Sequence, residues 1–262
     1  MARAIYRGLV ESGFPAENIG VVDPSEAAQS AARASGLIRI AESATDADLS
    51  ADLIVLAVKP QITDIALSPL AHRVSSTATV LSIIAGINSA SLANLLGLPN
   101  DDAVVRSMPN TPALVGEGMT GLFSNSDQRA HGRILAERVM SAVGQCVWVS
   151  NESDLDLVTA ISGSGPAYFF LFMESLADAA VELGMSPQTA HQLSVQTALG
   201  AAKLAQTSDD GLAKLRENVT SPGGTTEQAI ESFEASELRA IVMSATRAAK
   251  KRSIELSEEF GL

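Results

Sequence analysis

Apolar positions in the first half of the chain come in short β-branched runs separated by stretches of helical spacing, the rhythm of a parallel sheet with helices on both faces. Ile19-Gly20-Val21-Val22-Asp23 predicts a strand closed by Pro24, and Ala27 to Leu37 predicts a helix ending at Gly36. Leu53-Ile54-Val55-Leu56-Ala57-Val58 is a near-continuous apolar run closed by Lys59-Pro60, which predicts a central strand buried on both faces. Thr79 to Ala85 ends at Gly86 in the same way, and Ala103 to Arg106 and Val147 to Val149 come after it. These strands predict a doubly wound α/β sheet over residues 1–150.

After about Asn151 the β signal stops. Long Ala-rich amphipathic runs replace it: Leu155 to Leu183, Pro187 to Gln206, Thr226 to Phe233, and Ser236 to about Glu258. Phe169, Phe170, Met173, Leu176, Ala177 and Ala180 recur at helical spacing, a packing stripe rather than a cofactor box. Residues 151–262 are therefore expected to form a second, all-α domain. Its first helix is hydrophobic all round, so part of that surface is expected to lie against another subunit.

Composition narrows the partners. The chain has 262 residues, 46% of them hydrophobic, enough for two cores. Its formal net charge of -12 opposes broad contact with nucleic acid or an anionic membrane, leaving a small molecule as the expected partner. No segment approaches the ~20 continuous apolar residues of a membrane span. The lone Cys146 rules out an intrachain disulfide and fits a reducing, cytoplasmic setting. His72, His131 and His191 are scattered, with no second ligand at metal spacing, so no metal is expected.

Two Gly/Ser clusters carry the candidate chemistry. Ser162-Gly163-Ser164-Gly165-Pro166-Ala167 and Ser221-Pro222-Gly223-Gly224-Thr225-Thr226 each precede an apolar helical run. Each offers unpaired N–H groups and hydroxyls at the positive end of a helix, a seat for a carboxylate. A doubly wound dinucleotide domain, however, opens with a strand and a glycine-rich turn, and this sequence begins inside the helix that should come next. The expectation is that roughly ten residues carrying that strand and turn are absent from this version of the chain.

Four ordered segments carry a family resemblance: Leu56 to Gln61, Arg106 to Ala113 (Arg-Ser-Met-Pro-Asn-Thr-Pro-Ala), Val158 to Tyr168, and Leu215 to Thr226. In order and spacing the chain resembles pyrroline-5-carboxylate reductase. The resemblance implies a Rossmann-type dinucleotide-binding domain followed by an all-α dimerisation domain. It also implies hydride transfer from a reduced nicotinamide to the ring C=N carbon of 1-pyrroline-5-carboxylate, giving L-proline, in a homo-oligomer whose sites each draw on two subunits. Thr226 matches the threonine that hydrogen-bonds the substrate nitrogen, although an N-cap role is open to it as well. Gly224 and Thr225 resemble backbone donors to the substrate carboxylate, with the Ser221 hydroxyl beside them. Glu152 aligns with a glutamate close to the substrate, a position where a solvated acid at a helix start is also expected. Ser164 shapes the pocket floor at a helix break.

On the cofactor side, Ala57, Val58, Lys59 and Pro60 close a buried strand, Ala85 matches a cofactor-contacting alanine, and Asn218 matches a residue at the adenosine end. Asp23 ends the second strand, where an acid usually holds the ribose 2′-OH and favours NAD. Many similar reductases use NADPH, and Ser25 with a nearby Arg can receive a 2′-phosphate, so NADPH is expected, with NADH as the other donor. A β-hydroxyacid-type dehydrogenase needs a lysine on the long helix, and Leu155 to Leu183 contains none. The rival outside enzymology is a cofactor-deficient, truncated paralogue that dimerises and binds small acids.

Overall fold

The computed structural model describes residues 1–47, 49–125 and 130–260. They form two compact units, one of Met1–Ser164 with the last segment of the chain from Ala249, the other of Gly165–Ala248. The boundary expected from sequence lies at 150/151. Residues 151–164 stay with the sheet because Ser89, Arg106 and Asn110 of that unit fasten them there.

The first unit runs α1 (Ala2–Glu11), β1 (Gly20–Val22), α2 (Glu26–Ala34), β2 (Arg39–Ala41), β3 (Leu53–Leu56), α3 (Thr63–Leu67), β4 (Thr79–Ser82), α4 (Ser89–Leu96), β5 (Val104–Met108), β6 (Gly118–Phe123), α5 (Ala130–Ser141), β7 (Gly144–Trp148) and α6 (Asp154–Val158). A π-helical turn, Thr159–Gly163, comes next. β1 and β2 form a parallel pair of their own, and the other strands form a second sheet in the order β3-β4-β5-β6-β7. β6 runs antiparallel to β5, and the remaining pairs are parallel.

The period of two along each strand sorts side chains between two cores. Ile54, Leu56, Val80 and Val104 join one cluster with Leu67, Leu92 and Leu96 of α3 and α4. Leu53, Val55, Leu81 and Val105 join the other with Ala4, Ile5 and Leu9 of α1 and Ala136 and Met140 of α5. This corrects the reading of Leu53 to Val58 as a central strand. Its apolar run reports two covered faces, yet β3 stands at the edge of its sheet, stops at Leu56, and leaves Leu53 to Val55 half-buried. β2 and β6 lack a strong sequence signal: β2 is three residues long, and β6 carries two glycines. One of these is spatial, since a Cβ on Gly121 would meet Val158 Cγ1 of α6 at 2.7 Å.

α1 is the element common to both sheets. Ala4, Ile5 and Leu9 enter the five-stranded sheet's cluster, while Tyr6 and Val10 pack with Ala32, Leu37, Val21 and Ile40 around the two-stranded one.

The second unit contains α7 (Gly165–Glu182), α8 (Pro187–Thr207), α9 (Leu212–Asn218), α10 (Thr225–Ala235) and the first half of α11 (Leu238–Phe260). Ser194 Oγ donates to the Met173 carbonyl at 2.7 Å, and the rings of Phe172 and Phe233 lie 6.0 Å apart. Among the described residues of this unit only Gly165, Ala190 and Ser194 are buried, whereas Phe169 is 69% exposed and Leu183 89%. By length and composition the helical stretch Asp154–Glu182 would suffice to cross a membrane, where the sequence reading expected a packing helix and no span.

The end of α11 returns to the first unit. Ser253 Oγ donates to Asp156 Oδ1 at 2.7 Å. Gly86, at φ +78°, lies so close that a Cβ there would sit 3.3 Å from the Leu256 carbonyl oxygen. Because α1 is the shared element, truncating it should damage both sheets. Ile5→Ala is expected to lower stability by about 2–5 kcal/mol, measured by urea unfolding.

Candidate active site

The Ser221–Thr226 segment is built as a turn feeding a helix. Pro222 fits the second position of a β-turn and Gly223 the third, where φ is +72°, and Gly224 N–H closes the turn on the Ser221 carbonyl at 2.9 Å. Gly224 then caps α10, and a Cβ on it would lie 2.9 Å from that same Ser221 oxygen. Thr226 is therefore the second helical residue and not the N-cap. Glu227 folds back to accept the Gly223 N–H at 2.7 Å. The Thr225 and Thr226 N–H groups belong to the first turn and have no intrahelical acceptor. Among the described residues, no hydrogen bond engages the hydroxyls of Ser221, Thr225 or Thr226. Three hydroxyls and the free N–H groups of a helix mouth can accept a small carboxylate and a ring nitrogen.

Glu152 is not a solvated acid. Its Oε1 accepts the Ser89 N–H at 2.7 Å, the Ser89 hydroxyl at 2.9 Å and the Arg106 guanidinium at 3.1 Å. The Arg106 side chain is 13% exposed. One carboxylate oxygen thus ties the segment before α6 to the start of α4 and to β5. Sequence reasoning found Glu152 but missed Arg106 and Ser89. The signal was a lone arginine in the apolar run of β5, since a buried charge requires a partner.

Ser164 comes directly after the π turn, its N–H donating to the Thr159 carbonyl at 2.8 Å, the five-residue bond of a widened turn. Asn110, also missed, donates from Nδ2 to the Ser162 carbonyl at 3.0 Å. Glu152 and Ser164 belong to the first unit, the Ser221–Thr226 turn to the second.

The residues expected to hold a cofactor in the first unit lie just past strand ends. Asp23 follows β1, its Oδ1 accepting the Ser25 N–H at 2.9 Å, and Ser25 caps α2. The Gln29 amide donates to the Asp23 carbonyl and accepts from Arg33, so the nearby arginine is held within this network. Ala57 and Val58 follow β3, Lys59 caps the short turn begun by Pro60, and Ala85 lies in the exposed turn after β4. These are the carboxyl ends of strands, where open α/β sheets take ligands. Asn218 ends α9 in the second unit, with Nδ2 on Asp210 at 3.2 Å.

Cys146 is no nucleophile candidate, because burial pushes its thiol above the ordinary range. Among the described residues no group of three His, Cys, Asp or Glu side chains could hold a metal. The hub at Glu152 predicts a graded response. Glu152→Ala strands Arg106 and should cost about 1–3 kcal/mol, while Glu152→Gln keeps an acceptor for Ser89 and should cost less, both read by thermal unfolding.

Residues 152–256 match the family model described as pyrroline-5-carboxylate reductase dimerisation, and residues 1–86 match that of NADP oxidoreductase, coenzyme F420-dependent. The pyrroline-5-carboxylate reductase of Pseudomonas aeruginosa is 44% identical over 261 residues, covering 100% of this chain and 95% of the relative. The solved structure of the Coxiella burnetii enzyme superposes with a TM-score of 0.90 at 38% identity, covering 97% of this chain and 94% of that one. The Plasmodium falciparum enzyme, solved with NADP bound, gives 0.82 at 32% identity over 97% and 93%. A Rossmann-type sheet unit, a helical unit that carries a glycine-rich helix mouth, and end-to-end identity at this level place the chain in the pyrroline-5-carboxylate reductase family.

Proposed function

We infer that this chain reduces 1-pyrroline-5-carboxylate to L-proline, the last step of proline synthesis, with NADPH as electron donor and NADH as the alternative. The observation that carries the reading is the α10 mouth: free first-turn N–H groups beside three unpartnered hydroxyls, in a chain 44% identical to a pyrroline-5-carboxylate reductase.

In this reading the N–H groups of Thr225 and Thr226 and the Ser221 hydroxyl hold the substrate carboxylate, with Gly224 allowing the close approach. The Thr226 hydroxyl bonds the ring nitrogen and orients the imine. No strong acid is required, because the cyclic imine can take up its proton before or during reduction. Glu152 is the substrate-side acid of the first unit, its Oε1 held by Ser89 and Arg106. Ser164 lines the floor.

The strand-end residues fit a dinucleotide by their donor set. Lys59 has no ion-pair partner among the described residues, and Ser25 presents a hydroxyl beside Asp23. Asp23, Ala57, Val58, Lys59, Pro60, Ala85 and Asn218 would hold the cofactor, with Ser25 and Arg33 near a 2′-phosphate. The NADP bound in the Plasmodium falciparum relative supports the choice of NADPH. When bound, a reduced nicotinamide supplies the hydride that the imine carbon takes up.

The helical unit supports a homodimer, in which the exposed Phe169, Phe170, Leu171 and Leu183 are covered by a second copy. The same cover accounts for the apolar surface of Asp154–Glu182 without a membrane. The protein would then work in the cytoplasm.

The test is NADPH oxidation with pyrroline-5-carboxylate. Activity is expected in the wild type, and Thr226→Val should lower kcat/KM about a hundredfold with NADPH affinity unchanged. Retained L-proline binding with no oxidation would identify a non-catalytic acid binder. If the helical unit is completed by a second copy, Tm should rise with protein concentration, and a concentration-independent Tm for a monomer by light scattering would reject the dimer.

A further inference from the structure

The Ser162 carbonyl lacks the partner that a regular helix would give it. There it would accept the N–H four residues on, and that residue is Pro166, which has none. Asn110 provides the donor instead, with Nδ2 at 3.0 Å from the Ser162 oxygen. Its other end is fixed as well, Oδ1 accepting the Met119 N–H at 2.9 Å. With both polar ends engaged and the residue 9% exposed, Asn110 is not free to bind a ligand. The neighbouring Met108 packs on the same turn, its Cε 2.9 Å from where a Gly163 Cβ would lie.

We propose that Asn110 is a positioning residue of this reductase: its carboxamide stands in for the N–H that Pro166 lacks and so holds the π turn that places Ser164. The inference rests on the reductase reading for its kinetic consequences and on geometry alone for the clamp. The π turn has side-chain bonds of its own. Around it, Thr159 Oγ1 donates to the Leu155 carbonyl at 2.8 Å and Ser162 Oγ to the Val158 carbonyl at 3.0 Å. These bonds stabilise the turn locally but do not satisfy the Ser162 oxygen. Without the Asn110 donor that half-buried oxygen loses the bond tying it to the segment after β5, and an α register offers no substitute because Pro166 has no N–H. The released turn is then free to move Ser164, whose N–H closes the π bond to Thr159.

The test pairs Asn110→Asp with Pro166→Ala. The aspartate keeps an acceptor for Met119 but sets an oxygen against the Ser162 carbonyl. Alanine at 166 returns the missing N–H. Asn110→Asp is expected to lower kcat/KM for pyrroline-5-carboxylate about tenfold or more while NADPH affinity stays within about twofold. Measured against Pro166→Ala, the same change should cost about threefold or less. Hydrogen exchange at residues 160–164 should accelerate about tenfold in Asn110→Asp and be restored in the double variant.

Wild-type kcat/KM in Asn110→Asp, or an equal loss in both backgrounds, would overturn the proposal, as would a parallel loss of NADPH affinity. If Asn110→Asp fails to fold alone, rescue of folding by Pro166→Ala supports it and failure there overturns it. Absence of activity in the wild type would defeat the reductase reading instead. The exchange experiment would still decide the clamp.

Discussion

Everything in the sheet unit depends on one helix being apolar on two flanks. The two-stranded and five-stranded sheets share no backbone ladder, so among the described residues no hydrogen bond between strands fixes one against the other. Ala4, Ile5 and Leu9 of α1 face one cluster and Tyr6 and Val10 face the other, and Ile19 packs against both. Burial is non-directional, so such a joint fixes proximity more firmly than register. The strand-end residues Asp23 and Lys59 lie on different sheets, and their relative placement is therefore a matter of side-chain packing.

The polar groups divide into two kinds. At Glu152 and Asn110 the donors and acceptors are largely consumed inside the protein, three bonds on one carboxylate oxygen and one at each end of the carboxamide. At the mouth of α10 they are left open. Groups saturated by the protein hold geometry, and groups left unsatisfied beside solvent recognise ligands. The Glu152 carboxylate belongs to the first kind through Oε1.

Much of this was legible in the sequence and some was not. Periodicity located β1, β3, β4, β5 and the long helices, because alternation and helical spacing report which faces are covered. It could not show that β3 lies at an edge, since pairing of a strand's edge leaves no mark on its side chains. α9 was passed over because seven residues of mostly polar character carry little period. At the site, the turn-forming Pro222-Gly223-Gly224 could be read from residue type, as could the neighbouring hydroxyls. The Asn110–Ser162 and Arg106–Glu152 links could not, because they join residues 52 and 46 positions apart. A proline four residues after a carbonyl does, however, announce an acceptor in need of a donor.

The path of α11 has a consequence for biosynthesis. The sheet unit is discontinuous in the chain, taking residues from Ala249 onward as part of itself, with Ser253 bonded to Asp156 and the Leu256 backbone lodged against Gly86. Domains usually mature as they leave the ribosome, the N-terminal one first. Here the N-terminal one stays unfinished until the residues from Ala249 onward have emerged, so its last docking step must wait for the helical unit that precedes them in the chain.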